Sequence, residues 1–247
     1  MSPAILIQLV ALVLSVLLTL IRLPDALRGK GRIMFFAGVL LSLAVALSLE
    51  PIYLSVDALM GGVNLANLVI RFSLYGVMML LGIRCAAAFG SERARKLVGG
   101  AAGLIMLGLT AGVTAVLFGL SDLPESSTGL RAYHDDQSTV QWYAEMGRIY
   151  PAYVAACLVG PAIARARYRP ARPAHRLGAG LMAAGFSMII VFAALKLLPI
   201  AIGDADVLLP FGAIVLVVIG LVLFWASAKW ASRANPVNRL ADEQRPL

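Results

Sequence analysis

Asn64, Asn67, Arg71 and Tyr75 recur at spacings of three, four and four, which places all four side chains on one face of a helix. These residue types bind anions and hydrogen-bonding ligands, the guanidinium through a planar fork of donors and the amides and phenol through paired donor and acceptor atoms. Glu145 and Arg148 add a second charged pair, interleaved with Trp142, Tyr143, Tyr150 and Tyr153. With Glu50, the predicted ligand-binding set is Asn64, Asn67, Arg71, Tyr75, Glu50, Glu145 and Arg148, the arginines attracting an anionic group. The competing reading of the same residues is structural. Arg71 forms a buried ion pair with Glu50, or with Asp57 or Glu145, and the aromatic residues form a belt at the lipid surface.

The segments that carry these residues are strongly apolar. Seven stretches run from Ala4 to Ile21, Ile33 to Tyr53, Leu65 to Ile83, Leu97 to Leu120, Val140 to Ala164, Leu177 to Ile200 and Val207 to Ala228. Each is near the roughly 20 residues that a helix needs to cross a hydrocarbon core. None alternates as the strand of a barrel would. The predicted fold is an all-α integral membrane protein with seven transmembrane helices over residues 1–228, followed by a short cytoplasmic tail, 229–247.

Charge assigns the sides. Seventeen of the 21 basic residues fall in the loops after the first, third and fifth stretches and in the tail, whereas Asp57, Asp122, Glu125, Asp135, Asp136, Asp204 and Asp206 occupy the others. By the positive-inside rule the N-terminus is outside and the C-terminus cytoplasmic, in a bacterial plasma membrane. The net charge of +8 then reflects topology, and nucleic acid is excluded as a partner. The first stretch has no basic residue before it and Arg22, Arg28, Lys30 and Arg32 after it, so it is read as a retained anchor. Cys85 and Cys157 lie in the helices and are expected to be unpaired.

A charged group at the bilayer centre costs about 2.5 to 3.5 kcal/mol on insertion scales. At about 1.5 Å per residue, Arg71 sits roughly 20 Å above Arg84, well inside the core. Glu50, Glu145, Arg148 and Lys196 lie nearer the outer interface, and Lys196 is expected to snorkel there. The seventh stretch has no lysine for a retinal Schiff base. The loop from Ser121 to Ser138 is long enough for a lid, and a solvated loop is the alternative. Its His134-Asp135-Asp136 run is read as solvated rather than as a metal site. No zinc pair, nucleophile elbow or phosphate-binding loop is present in the sequence, so no enzyme activity, cofactor or metal is predicted. Gly99, Gly103, Gly108 and Gly112 mark the fourth stretch as a packing face.

With the N-terminus outside, stretches one to three and five to seven share an orientation, a 3+1+3 parallel repeat as in sugar carriers of the SWEET type. Glu50-Pro51 and Lys196 with Pro199 close the corresponding helices. The run Leu49-Glu50-Pro51-Ile52-Tyr53, followed by Asp57 to Leu68, resembles the helix-two to helix-three junction of a group of actinobacterial multi-helix membrane proteins assigned to transport. In that group a cytoplasmic C-terminal domain often follows the helices. The expected function is a transporter or sensor that binds a small molecule, peptide or lipid from the outer side near Arg71. The alternative is a non-transporting subunit or scaffold that packs against a second copy or a partner membrane protein. Membrane lipids are partners in either case.

Overall fold

The computed structural model describes residues 2–133, 136–198 and 203–234, with side chains to Ser227 except that of Arg131. The described residues contain no strand. Nine α-helices follow in order: α1 Pro3–Leu27, α2 Arg32–Leu47, α3 Glu50–Leu59, α4 Leu65–Ala88, α5 Glu92–Gly99, α6 Ala101–Gly119, α7 Ser138–Arg167, α8 Pro173–Lys196 and α9 Ala205–Ala234. A short 3-10 turn, Thr128–Tyr133, lies between α6 and α7. The helices α1, α4, α7, α8, α9 and the α5–α6 pair, six among the described residues, are long and apolar enough to cross a membrane, and α2 with α3 brings the number to seven if the bent pair is counted as one span.

That break departs from the continuous stretch expected from Ile33 to Tyr53. The axes of α2 and α3 differ by 98°. Pro51 has no N–H to offer the Leu47 carbonyl, and its ring collides with a helix continued there. The chain therefore leaves the helix at Ser48, passes through the extended Leu49 and starts again at Glu50, with Pro51 tolerated in the first turn. At 16 residues α2 is only about 24 Å long, and α3 lies across its end. On α3 the face carrying Tyr53 and Asp57 is buried, while Leu54 and Leu59 point away.

The fourth stretch also divides. Glu92–Gly99 forms a charged helix capped by the Ser91 hydroxyl, and the chain turns at the extended Gly100 before α6. A Cβ at Gly103 would stand 2.0 Å from the Val98 carbonyl oxygen, so this glycine serves the turn. Within the chain Gly108 and Gly112 face open space, beside the exposed Ile105 and Leu109.

Close backbone approach occurs instead between α8 and α9. A Cβ on Gly178 would lie 2.8 Å from the Gly220 carbonyl, and one on Gly220 would lie 2.7 Å from that of Gly178. Without side chains there, the two helices pack almost backbone to backbone. Gly82 on α4 instead makes room for side chains, since a Cβ there would lie 2.8 Å from methyl groups of both Val154 on α7 and Val98 on α5. The main core joins α4, α7, α8 and α9 around Tyr75, Met78, Tyr150, Leu158, Met182 and Phe186. Tyr143 and Tyr150, read from sequence as belt residues, are fully buried, and only Trp142 of that set is widely exposed. Cys85 and Cys157 are unpaired.

Candidate ligand-binding site

The bundle has a basic end, with the α1–α2, α4–α5 and α7–α8 connections, and an acidic end, with the α3–α4, α6–α7 and α8–α9 connections. The polar face of α4 starts at the acidic end. Asn64 is the residue just before the helix and holds a left-handed backbone, φ 62°, which asparagine tolerates better than most residues. Its side-chain oxygen accepts from the Tyr53 hydroxyl at 2.9 Å and from the Ser127 amide at 2.7 Å, and its amide nitrogen donates to the Glu125 carbonyl at 2.7 Å.

Asp57 completes this knot. Its carboxylate accepts from the backbone amides of Asn64 at 2.9 Å and Ala66 at 3.0 Å, and from the Ser126 hydroxyl at 2.6 Å. A carboxylate in this position caps the unpaired amides at the start of α4 and meets the positive end of its dipole. Asp57 is therefore not a solvated loop acid, and it is not an ion-pair partner of Arg71. The loop after α6 is not solvated throughout either. Tyr133 closes it by donating to the Glu125 carbonyl and accepting from the Glu125 amide, both at 2.9 Å. His134 and Asp135 lie outside the described residues, as do the structure of Pro199 and the side chains of Lys229, Trp230 and Arg233.

One turn further along α4, Asn67 accepts from the Tyr143 hydroxyl at 2.8 Å. One more turn past Arg71, the Tyr75 hydroxyl shares a 2.9 Å hydrogen bond with Thr114 of α6. Asn64, Asn67 and Tyr75 are thus committed to partners within the protein, and their predicted role as ligand contacts gives way to helix positioning. Glu50 is exposed at the start of α3, turned away by the bend after α2, and forms no ion pair with Arg71.

Arg71 differs from its neighbours on this face. Among the described residues no carboxylate lies within 4.0 Å of its guanidinium. The cation sits 5.0 Å from the centre of the Tyr143 ring, which stabilises charge only partly. It occupies the space above Gly147, where a Cβ would come within 1.8 Å of a guanidinium nitrogen and 2.9 Å of Cδ. Gly147 is thus the residue that admits the Arg71 head between α4 and α7, a role that spacing alone does not reveal.

The next residue is Arg148, ion-paired with Glu145 one turn earlier and 5.7 Å from the centre of the Phe192 ring. Its side chain is 17% exposed. Lys196, at the end of α8, forms an ion pair at 2.5 Å with Asp206 across the α8–α9 connection.

Arg71, Gly147 and Arg148 line one end of a partly open cavity of about 300 Å³ lined by α1, α2, α4, α7, α8 and α9. Below the arginines its walls are Leu, Met, Val, Ile, Phe, Ala, Pro and Gly side chains, with no acid and no hydrogen-bonding group among the lining residues. Of the predicted set, the structure brings only Arg71 and Arg148 to this space, with Glu145 bound to the latter. The described residues hold no cluster of three or more potential metal ligands.

The fold and this site define an all-helical, multi-pass membrane protein with a cationic pocket in its bundle. Comparison of the chain with family models, with curated proteins and with solved structures finds no match.

Proposed function

We propose that the protein binds an anionic ligand at Arg71 and Arg148, reached from the outer side of a plasma membrane, as a transporter or sensor rather than as an enzyme. The N-terminus is outside and the C-terminus cytoplasmic, following the basic loops, and the acidic end faces outward. The observation that carries this reading is Arg71, a membrane-embedded cation that faces a cavity and has no carboxylate partner among the described residues. Such a charge is costly in a bilayer unless an anion or water meets it. The 3+1+3 repeat would set the broken α2–α3 span beside the α8–α9 connection, where Pro199 lies outside the described residues and Lys196 pairs with Asp206.

The test is thiol chemistry in intact cells. In a Cys85→Ala, Cys157→Ala background, Arg71→Cys should react with a membrane-impermeant sulfonate thiosulfonate and with its trimethylammonium counterpart, both added from outside. Absence of reaction with both reagents overturns the reading.

The scaffold alternative draws on one observation, the open face of α6 at Gly108 and Gly112. Small residues on a lipid-exposed face allow a second helix to approach closely.

A further inference from the structure

The cavity below the arginines tells what kind of anion belongs there. Its head carries two guanidinium groups, and from Leu74 downward α4 contributes Val77, Met78 and Leu81. Ten residues separate Arg71 from Leu81, so the space extends about 15 Å along the helix. The floor is formed by Met34, Leu81 and Leu221, all apolar, near the basic end of the bundle.

A polar ligand, such as a sugar or a hydrophilic peptide, would lose its hydrogen bonds to water against these walls and regain none. A free inorganic anion would match the arginines and leave the apolar space unfilled. A neutral hydrocarbon would fill the space and leave Arg71 uncompensated. A two-chain phospholipid is too large, because about 300 Å³ is the lower end of ligand-pocket volumes. One saturated chain fits the remaining length. With carbon–carbon bonds of about 1.5 Å advancing roughly 1.25 Å each in a zigzag, about 12 carbons span 15 Å.

We infer that the cavity holds a single-chain anionic amphiphile, with its carboxylate or phosphate on Arg71 and Arg148 and its alkyl chain running down toward Leu81 and Leu221. The inference rests on the anion site proposed above and specifies its ligand class. Gly147 sets the headgroup position by letting the Arg71 guanidinium lie beside Arg148. The Glu145 carboxylate leaves Arg148 partly neutralised, so Arg71 provides most of the attraction. Phe192 and Pro210 stand at the same level as the head, where a chain's first carbons would pass.

The experiment uses the full chain in lipid nanodiscs and dodecanoate carrying a diazirine at its far end. After irradiation, peptide mapping should place the label on the floor of the cavity, around Met34, Leu81 or Leu221. Dodecanoate and dodecyl phosphate should compete, whereas acetate, inorganic phosphate and dodecanol at equal concentration should not. Arg71→Gln should lower floor labelling at least fivefold. Met78→Trp, which touches neither arginine and fills the lower cavity, should do the same and keeps the test decisive if Arg71→Gln does not fold.

Competition by acetate or phosphate as strong as that by dodecanoate would overturn the amphiphile and leave the anion site standing. Labelling confined to the lipid-facing side of α6, at Ile105 and Leu109, and equal in both variants, would also overturn it. Failure of the sulfonate reagent to reach Arg71→Cys would remove the anion site as well, so the two proposals fall by different results.

Discussion

Asp57 and Arg71 are both charged groups inside the bundle, and the structure treats them in opposite ways. Asp57 is fully buried and accepts three hydrogen bonds, two of them from backbone amides at the start of α4. Hydrogen bonds to a charged group contribute about 1.5 to 3 kcal/mol, so Asp57→Ala should lower stability by several kcal/mol and release the Ser126 segment. A fall in the thermal unfolding midpoint, together with faster proteolysis near Ser126, checks this. An unchanged midpoint would remove Asp57 from its capping role. Arg71 has an aromatic face and a glycine beside it and, among the described residues, no carboxylate within 4.0 Å. Gly147→Ala should push the guanidinium off its seat, weakening binding of an anionic probe about tenfold, or about 1.4 kcal/mol, with unfolding nearly unaltered. Equal loss of binding and of stability would make Gly147 a packing residue only. The stripe of Asn64, Asn67, Arg71 and Tyr75 was visible from spacing. Its division into three residues bonded within the protein and one that lines a cavity was not, because each partner, Ser127, Tyr143 or Thr114, lies far away in the chain.

At the level of elements, the same residue type does different work according to what stands opposite it. Gly178 and Gly220 face each other's backbone at under 3 Å from an added Cβ, while Gly108 and Gly112 face nothing within 4 Å. Gly178→Leu should therefore destabilise the α8–α9 pair by about 1 to 3 kcal/mol or more, through forced separation of the helices. Gly108→Leu should leave the unfolding midpoint of the single chain within about 0.5 kcal/mol. Midpoints of the two variants, measured side by side, decide the matter. If Gly108→Leu also changes the size of the particle in detergent, α6 is a contact between chains. Gly103 is unsuited to that experiment, since any side chain there meets the Val98 carbonyl and disturbs the turn at Gly100. The glycine-rich pattern of the fourth stretch was legible, but a pattern carries no information about what lies across from it. The break between α2 and α3 was half legible. Pro51 marked the end of a helix, whereas the 98° angle depends on Asp57 and Tyr53 docking under the α6–α7 loop.

For the whole molecule, the proposed orientation rests on the distribution of charge and is tested by charge-independent labelling. In the cysteine-free background, Asp122→Cys and Arg28→Cys both place a thiol at exposed connections on opposite ends of the bundle. With the N-terminus outside, an impermeant maleimide should label the first in intact cells and the second only after lysis. The reverse pattern would invert the topology and place the head of the cavity on the cytoplasmic side.

The apolar character of the helices, their alternating charged connections and the place of Arg71 within an apolar stretch were all legible in the sequence, because they depend on local composition and on helical period alone. The capping of α4 by Asp57 and the cavity beneath the two arginines were decided only in three dimensions. Each depends on which side chains from distant helices share a few ångströms, and on space left where packed neighbours do not meet. Neither is encoded at any fixed spacing along the chain.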